Sequence, residues 1–398
     1  MIKKLSNGIS YEFRECDMDM CYVSLIVWNG SLKDRDRYGI AHFLEHMLMQ
    51  MDYEGYGVGD DFSCVGTTSF EYTKYVISTH NEIGNILNAI RILLDIFRGT
   101  HLLRDNMEKV RQDIVNEYNI VSESPFFEVY RSFVKKLGIS EYMPIGNLHD
   151  IRCITYMDII ENFKNGYSVE NAHIIILGGE KEWEERIWKK VVENDFKVMP
   201  QKSSLRVPTS LNRNYKNIKE NGMVIFLKLN YVCTDTAYYD LVESMALTFL
   251  EELFKETGKM QESDIFLGIF QPTKDFRYIR ITVRKKINLT CIHDVYKKIV
   301  NRLILKKDIG GLLEDLKNEY NNILKKNEYN NILKKNEYGY QYIQHLIYSY
   351  IFDRKSYTNH DLMQYIEAEG KKVFDDIINF SISTLEEPEY YIYYLERR

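Results

Sequence analysis

The sequence has no long apolar run and no closely spaced pair of cysteines. No segment approaches the length that a bilayer-spanning helix needs, and the amino-terminal "MIKKLSNGISYEF" lacks the apolar centre of a secretion signal. We therefore expect a cytoplasmic protein with no membrane insertion. The six cysteines include no Cys-x-x-Cys pair, so the sequence predicts neither a zinc ribbon nor a disulfide framework.

Concentrated positive charge is absent as well. The chain has 52 lysines and arginines against 58 acidic residues, spread along its length, for a formal net charge of -6. No basic stripe marks a nucleic-acid surface, which leaves peptides and small molecules as expected partners. The 398 residues, 45% of them hydrophobic, suffice for the cores of two or three globular domains.

The spacing of apolar residues predicts an α+β unit in the first half of the chain. Alternating or continuous apolar stretches indicate strands, and apolar residues three or four apart indicate helices. The predicted order is two strands, a helix, a strand, three helical regions and a strand, at residues 8–16, 21–29, 38–49, 70–79, 82–98, 104–121, 125–165 and 172–179.

A similar order recurs after a polar segment that contains two prolines, "MPQKSSLRVPTSLNR". It comprises a strand, a helix, a hairpin, long helices and a strand, with the helix at 237–256 and the strands at 222–232, 265–271, 276–285 and 389–396. We therefore predict two half-domains, 1–198 and 214–398, joined by a linker at 199–213. No sequence identity between the halves is visible, so this duplication rests on the element order.

One short repeat is unmistakable, because "NEYNNILKK" begins at Asn318 and again at Asn327. Its nine-residue period is about two and a half helical turns, so successive copies present opposite faces. We interpret the repeat as a duplication that lengthened an exposed helix, with docking of a partner as the alternative.

The stretch "GIAHFLEHMLMQ", from Gly39 to Gln50, places His42, Glu45 and His46 within five residues. In a helix the two histidines lie one turn apart on the same side, where both imidazoles can bind one zinc ion. Glu45 projects beside them and can accept a proton from a water on the metal. The alternative is the buried side of an ordinary helix.

A zinc site with two histidines needs a third protein ligand, normally a carboxylate. The helical segment "NMEKVRQDIVNEYNI" offers Glu108 and Glu117. Glu117 ends the apolar run Val110, Ile114 and Val115 and can face inward with it.

The segment "VSLIVWNGSLKDRDRYGIAHFLEHMLMQ" resembles the signature of the pitrilysin/insulinase family of inverted-motif zinc peptidases, which includes the mitochondrial processing peptidases. Further similar segments follow in the family's order: "GTTSFEYTKYVIS", "DIVNE" ending at Glu117, and "PIGNLHDIRCITYMDIIENFKNGYSVENAHIIILGG". The resemblance covers roughly the first 180 residues.

The resemblance implies that His42, His46 and Glu117 bind Zn2+ and that Glu45 is the general base. It implies two homologous α/β half-domains, each an antiparallel-rich sheet with helices packed on it, of which the second lacks the zinc motif. Short family members enclose a chamber by forming a dimeric clamshell. The substrate enters extended and adds a strand to a sheet edge.

Two departures from the family bear on activity. A supporting glutamate seven residues before the glutamate ligand is replaced by Val110. The family's Arg and Tyr, which hold the substrate backbone and the developing oxyanion, align with Lys259 and Phe266. Lysine lacks the bidentate fork of arginine, and phenylalanine has no hydroxyl, so both would bind substrate weakly.

Two explanations of these departures remain open. A homologous second subunit can supply Arg and Tyr in a heterodimer, with a homodimer as the alternative. Otherwise the chain is a weak or inactive subunit that binds peptides or acts as a scaffold. We expect a zinc endopeptidase that cleaves short or unfolded peptides, for example the leader of a precursor such as a bacteriocin.

Overall fold

A computed structural model gives the fold of most of the chain. It describes residues 2–4, 8–35, 37–57, 61–193, 222–229, 237–258, 265–273, 275–284, 289–305, 310–311, 314–315, 318, 332–352, 371–385 and 390–395. The chain forms two compact units, the first from residues 1–124, 134–213 and 331–347 and the second from 125–133, 214–330 and 348–398. The predicted linker at 199–213 lies outside the described residues, and the predicted domain boundaries stay predictions.

The first unit contains a six-stranded sheet in the order β1-β2-β6-β3-β5-β4. Only β2 and β6 pair in parallel; the other neighbours are antiparallel. The strands are β1 Lys3–Lys4, β2 Ser10–Arg14, β3 Met20–Val27, β4 Ser63–Thr68, β5 Thr73–His80 and β6 Ala172–Leu177. Strand β4 was not predicted, and it forms one edge of this sheet.

Seven α-helices lie among the described residues between Ile40 and Glu193, five of them in succession between β5 and β6. They are α1 Ile40–Leu48, α2 Ile83–Arg98, α3 Met107–Ser122, α4 Pro125–Lys136, α5 Leu148–Cys153, α6 Tyr156–Gly166 and α7 Trp183–Glu193. Helix α4 begins in the second unit and ends in the first. Helix α7 was not predicted, although the apolar residues of its sequence "WEERIWKKVVE" recur at helical spacing.

The core of the first unit lies between one face of the sheet and the helices. Alternate residues of the central strands are buried there, as Leu25 of β3, Ile77 of β5 and Ile174 of β6 are. Phe43 and Leu44 of α1 and the apolar side of α2 belong to the same core. The apolar residues around His42 therefore pack helix α1 into the core, as the alternative interpretation of that stretch required.

The second unit has a four-stranded antiparallel sheet in the order β10-β7-β9-β8. Its strands are β7 Gly222–Lys228, β8 Ile265–Thr273, β9 Phe276–Val283 and β10 Tyr390–Leu395, and its helices include α8 Ala237–Gly258, α9 Leu289–Ile304 and α11 Lys371–Leu385. Helix α10, Ile332–Ile351, is shared between the units. Phe133 of α4 stacks on Phe226 of β7, with ring centroids 3.8 Å apart.

The two units repeat one strand order, because β6-β3-β5-β4 in the first corresponds to β10-β7-β9-β8 in the second. In each unit a helix, α1 or α8, connects the second strand of this series to the last one. The predicted α+β class, with antiparallel-rich sheets and helices packed on them, is confirmed.

Two other sequence features have different outcomes. Most of the "NEYNNILKK" repeat, residues 319–331, lies outside the described residues. None of the described helices is both long and apolar enough to cross a membrane.

The start of α1 is packed against the loop before α5 through two glycines. Gly39 and Gly146 both have positive φ, +97° and +70°. A Cβ added to Gly146 would lie 2.6 Å from the carbonyl oxygen of Tyr38 and 2.8 Å from the Cα of Gly39. Because both distances are shorter than van der Waals contact, a side chain at position 146 would displace the start of α1.

We predict that Gly146→Ala lowers the free energy of unfolding by about 1 to 3 kcal/mol more than Gly138→Ala does. Gly138 is the matched control, since its φ of +76° imposes the same backbone strain but its Cβ would meet no atom within 4 Å. Chemical denaturation of both variants measures the difference. Equal losses in the free energy of unfolding would show that the close approach of Gly146 to Gly39 does not contribute to stability.

Candidate metal centre

The backbone at the start of helix α1 donates hydrogen bonds to a buried carboxylate. The backbone N–H groups of Gly39 and Ala41 donate to the two carboxylate oxygens of Asp34, at 2.7 and 3.0 Å. Burial raises the pKa of Asp34 to about 7, although these N–H donors act in the opposite direction. Asp34 thus satisfies amide groups that the first helical turn leaves without partners. No sequence pattern indicates this role, because Asp34 precedes the helix by more than the usual capping distance.

Three ligand atoms from α1 and α3 form a small triangle. The Nε2 atoms of His42 and His46 are 3.2 Å apart. Oε2 of Glu117 lies 3.5 Å from Nε2 of His42 and 3.3 Å from Nε2 of His46. The structure therefore brings together the three residues that the sequence predicted as metal ligands.

The size of this triangle fits a tetrahedral zinc ion. Zinc binds imidazole nitrogen and carboxylate oxygen at about 2.0 to 2.2 Å, so two ligand atoms of a tetrahedral site lie about 3.3 to 3.5 Å apart. All three separations fall in or next to this range. Two nitrogen lone pairs and a carboxylate oxygen this close repel one another unless a cation or a proton lies between them.

The pKa shifts favour metal binding at His42 and Glu117 but oppose it at His46, which has to release any proton that it carries before it can bind a metal. Burial lowers the pKa of His42 to about 4, which keeps this imidazole neutral near pH 7. Burial acts in the same direction on His46, but its hydrogen bond with Glu117 and the nearby carboxylates outweigh burial and raise its pKa. The hydrogen bond from His46 lowers the pKa of Glu117, which is therefore ionised. Neutral imidazole and ionised carboxylate are the forms that bind metals.

Glu45 lies beside the triangle without being part of it. Its Oε2 accepts a hydrogen bond from the hydroxyl of Thr68 at 3.2 Å, and the backbone N–H of Thr68 donates to it as well. Its Oε1 lies against Gly66, where a Cβ would approach it to 2.3 Å. Strand β4, which the sequence did not predict, thus holds this carboxylate in place.

A metal ion could in principle take Glu45 as a ligand, because ligand atoms of His42, Glu45 and His46 lie within 4.8 Å of one another. The separations to Glu117 are shorter, and Glu45 is already held by Thr68. Glu117 is therefore the better third ligand. Burial raises the pKa of Glu45 to about 7, which is suitable for a group that exchanges protons near neutral pH.

Helix α3 is fixed by Arg111, six residues before Glu117. The guanidinium donates to the carbonyl oxygens of Ile151 and Ile154, the latter at 2.9 Å. It also lies over the ring of Phe43, 5.4 Å from the ring centroid. Arg111 thereby ties the helix that carries Glu117 to the helix that carries both histidines.

The region around Val110 supplies no polar support to the site. Val110 is fully buried in the core, and Glu108 points to solvent and pairs with Arg111 at 3.1 Å. Glu108 therefore does not replace the glutamate that the family resemblance led us to expect at position 110. Within the described part of the chain, Nδ1 of His42 is buried and has no hydrogen-bond partner.

The two predicted substrate-binding residues have different outcomes. Lys259 lies outside the described residues. Phe266 lies on β8 with 42% of its surface exposed, and the guanidinium of Arg284 lies 4.8 Å from its ring centroid. Their roles remain predictions.

The second unit carries a related arrangement without the imidazoles. Glu251 on α8 accepts the backbone N–H of Leu267 on edge strand β8 at 3.0 Å, much as Glu45 on α1 accepts that of Thr68 on β4. The sequence "TFLEEL" around Glu251 aligns with "HFLEHM" around Glu45. Thr248 and Glu252 then stand in place of His42 and His46.

Comparison with known proteins now supports the family resemblance. Residues 15–139 match the family model described as insulinase, peptidase family M16. This segment contains α1, α3 and β4, and so every residue of the triangle and Glu45. The resemblance that the sequence predicted is confirmed over this segment. No curated protein sequence matches the chain.

Solved structures share the fold over nearly the whole chain. The first half of the periplasmic protease PqqL from Escherichia coli matches with a TM-score of 0.73 and 15% identity, over 98% of this chain and 90% of that one. A peptidase M16 inactive domain from Pseudomonas fluorescens gives 0.72 and 15%, over 98% and 96%. A protease from Helicobacter pylori gives 0.69 and 17%, over 98% of each chain. At these identities the likeness establishes the fold; this chain spans 47% of the complete PqqL.

We predict that the stability of the metal-free protein depends on pH through Glu45. A folded-state pKa of about 7 exceeds the ordinary value near 4.3, so the wild-type protein loses stability as pH rises from about 4.5 through 7. Glu45→Gln cannot ionise and should lack this loss. In a chelator, its stability relative to wild type should therefore rise by about 2 to 3 kcal/mol between pH 5 and pH 8.

The control for this measurement is Glu108→Gln, because the side chain of Glu108 is 83% exposed on α3. Its stability relative to wild type should change little with pH. If the Glu45→Gln difference were the same at pH 5 and pH 8, burial would not govern the ionisation of Glu45.

Proposed function

We propose that the chain is a zinc-dependent endopeptidase that cleaves short or unfolded peptides. His42, His46 and Glu117 would hold the ion, and Glu45 would act as the general base. The observation that carries this proposal is the triangle of ligand atoms, with sides of 3.2, 3.3 and 3.5 Å. The side chain of Glu117 is 42% exposed, which leaves the triangle accessible to a substrate.

Each residue around the triangle has a distinct task in this mechanism. When bound, zinc supplies Lewis acidity that lets a water molecule lose a proton near neutral pH. The carboxylate of Glu45 accepts that proton and later donates it to the nitrogen of the leaving amine. Thr68 orients Glu45 through its hydroxyl and its backbone N–H, so the carboxylate is in position before substrate arrives.

Strand β4 is the candidate site for the substrate backbone. It is an edge strand of the described sheet and pairs with β5 on one side. An extended peptide can add to such an edge through main-chain hydrogen bonds. Because Thr68 of β4 touches Glu45, a peptide bound along β4 would lie close to the proposed base.

We further propose that a second subunit completes the enzyme as a dimeric clamshell. Lys259 and Phe266 are poor replacements for the family's Arg and Tyr, and a homologous subunit in a heterodimer could supply both; a homodimer is the alternative. A leader or precursor peptide, for example of a bacteriocin, is a substrate of suitable size. The cytoplasmic location expected from the sequence stays a prediction.

A catalytically weak or inactive peptide-binding subunit is the second candidate. Two observations favour it: Val110 replaces the expected supporting glutamate, and Nδ1 of His42 lacks a partner among the described residues. The second ring nitrogen of a metal-bound histidine usually donates its N–H to an acceptor, and loss of such an acceptor costs about 10- to 100-fold in affinity or activity. One of the similar structures is that of an inactive domain.

We predict that the wild-type chain binds one zinc ion. Each of His42→Ala, His46→Ala and Glu117→Gln should weaken zinc binding more than about 100-fold, because loss of a ligand costs more than loss of a ligand's hydrogen-bond partner. Glu45→Gln should retain zinc and lose about 100- to 10,000-fold in cleavage rate, because only the proton transfer is removed. Chelator competition and a fluorogenic peptide assay measure the two effects. Glu108→Gln is the control on the same helix.

The cleavage assay should be run on the chain alone and on its mixture with the product of any neighbouring gene that encodes a homologous subunit. Activity that appears only in the mixture supports the heterodimer. High activity of the chain alone contradicts the inference that Lys259 and Phe266 cannot replace the family's Arg and Tyr. If Glu45→Gln left an active sample fully active, the assigned general base would be wrong. Zinc binding without cleavage in either sample would favour the inactive subunit.

A further inference from the structure

Two threonine hydroxyls connect Glu45 to a buried backbone carbonyl. Thr68 ends β4, Thr73 begins β5, and the two residues are paired directly across the strands. Oγ1 of Thr68 lies 3.2 Å from Oε2 of Glu45 and 3.3 Å from Oγ1 of Thr73. Oγ1 of Thr73 lies 2.8 Å from the carbonyl oxygen of Asn29. We call these four residues the hydroxyl network.

The far end of the hydroxyl network is buried and fixed by α6. Thr73 is fully buried, and Asn29 is 2% exposed. The side-chain amide of Asn29 donates to Oδ1 of Asn162 at 2.8 Å. This amide also occupies the space that a Cβ at Gly166 would need. The carbonyl oxygen of Asn29 is therefore held in place as an acceptor.

In the hydroxyl network, two hydroxyl hydrogens serve three contacts. A threonine hydroxyl has one hydrogen to donate, and a carbonyl oxygen only accepts. Thr73 therefore donates to Asn29, and the contact between the two threonines needs the hydrogen of Thr68. The contact of Thr68 with Glu45 needs the same hydrogen. Thr68 thus has two acceptors, Glu45 and Thr73, for a single hydrogen.

A second acceptor matters because the proposed base changes its charge during the reaction. A carboxylate is a stronger acceptor than a neutral group, so Thr68 donates to Glu45 before the proton is taken from water. Once Glu45 carries that proton, its oxygen is a weaker acceptor, and the hydroxyl of Thr68 can turn to Thr73. A hydroxyl inside the protein without an acceptor would cost about 10-fold or more in the population of the protonated form.

We propose that Thr73 is a positioning residue for the general base. Its oxygen is the second acceptor for the hydroxyl of Thr68, which stays hydrogen-bonded both before and after Glu45 takes the proton. The proposal rests on the proposed peptidase function. No bond forms or breaks at either threonine, because the hydroxyl of Thr68 only rotates. The proton passes from water to Glu45 and from Glu45 to the leaving amine.

The first test compares Thr73→Val with Thr73→Ser in the peptide cleavage assay. Valine has the shape of threonine without the hydroxyl, and serine keeps the hydroxyl. We expect Thr73→Val to lower kcat about 10-fold, because the protonated form of Glu45 loses support. KM and zinc affinity should stay unchanged, since the fully buried Thr73 touches neither the substrate nor the metal ligands. Thr73→Ser should restore most of kcat.

The matched control is Thr79→Val, which removes a hydroxyl from the same strand outside the hydroxyl network. Thr79 is also buried, with 3% of its surface exposed, and this variant should keep kcat. The proposal is overturned if Thr73→Val keeps full kcat, or if Thr73→Ser loses as much as Thr73→Val. It is also overturned if the loss lies in KM or zinc affinity alone, or if Thr79→Val causes the same loss.

The second test needs neither zinc nor cleavage. Glu45→Leu removes the carboxylate but fills a similar volume, which leaves Thr73 as the acceptor for Thr68. In a chelator at about pH 8, Thr73→Val should raise the unfolding equilibrium constant about 10-fold more in Glu45→Leu than in wild type. Adding Thr68→Val to both should remove this difference, because no hydroxyl is left to satisfy. Equal effects in the two backgrounds would overturn the proposal and leave an ordinary cross-strand threonine pair.

The two tests separate this proposal from the proposed function. If the chain cleaves nothing, alone or in a mixture, the proposed function fails, and the unfolding measurements still decide whether Thr73 is the second acceptor for Thr68. If peptides are cleaved but the Thr73 variants behave like the Thr79 control, the proposal fails by itself.

Discussion

The close approach of two imidazole nitrogens and one carboxylate oxygen is the constraint on which the first unit depends. These atoms lie within 3.5 Å of one another and repel in the absence of a cation or a proton. The surrounding structure has to hold them there. Asp34 and the Gly39 contact fix the start of α1, Arg111 fixes α3, and β4 fixes Glu45. The site is thus assembled from helices and a strand that are each anchored independently.

The second unit shows what the same framework does without a metal motif. Glu251 occupies the place of Glu45 on a corresponding helix and also accepts an N–H of an edge strand. Beside it, the ammonium of Lys255 lies 3.1 Å from Glu251 and 2.7 Å from Glu252. A cation built into the chain therefore balances carboxylates on α8. In the first unit no lysine or arginine of the described residues pairs with Glu45 or Glu117, and the balancing charge there has to come from a proton or an ion.

Much of this arrangement follows from the sequence. The spacing of His42, Glu45 and His46 sets their relative positions once a helix forms. The apolar residues around them indicate that this helix is buried. Strands β3 and β6 are nearly continuous apolar runs that fit a buried sheet, and β5 has an apolar centre, Tyr75 to Ile77, between polar residues. Their prediction needs no knowledge of what they pack against.

Other parts of the site depend on contacts between segments far apart in the chain. The choice of Glu117 over Glu108 depends on how α3 packs, since both glutamates are in the same helix. Strand β4, "SCVGTT", alternates weakly and has few large apolar residues, so its strand character comes from pairing with β5. Asp34 contacts the start of α1 across a loop, which no local pattern indicates. The sequence predicts the candidate ligands better than it predicts the contacts that hold them in place.

The proposed function requires that His42, His46 and Glu117 bind a single zinc ion without a cysteine. X-ray absorption at the zinc edge of the purified, zinc-loaded chain tests it most directly. We expect one zinc ion per chain with four nitrogen or oxygen neighbours at about 2.0 to 2.2 Å, of which two are imidazoles. A sulfur neighbour at about 2.3 Å, or an unchanged spectrum in Glu117→Gln, would contradict it.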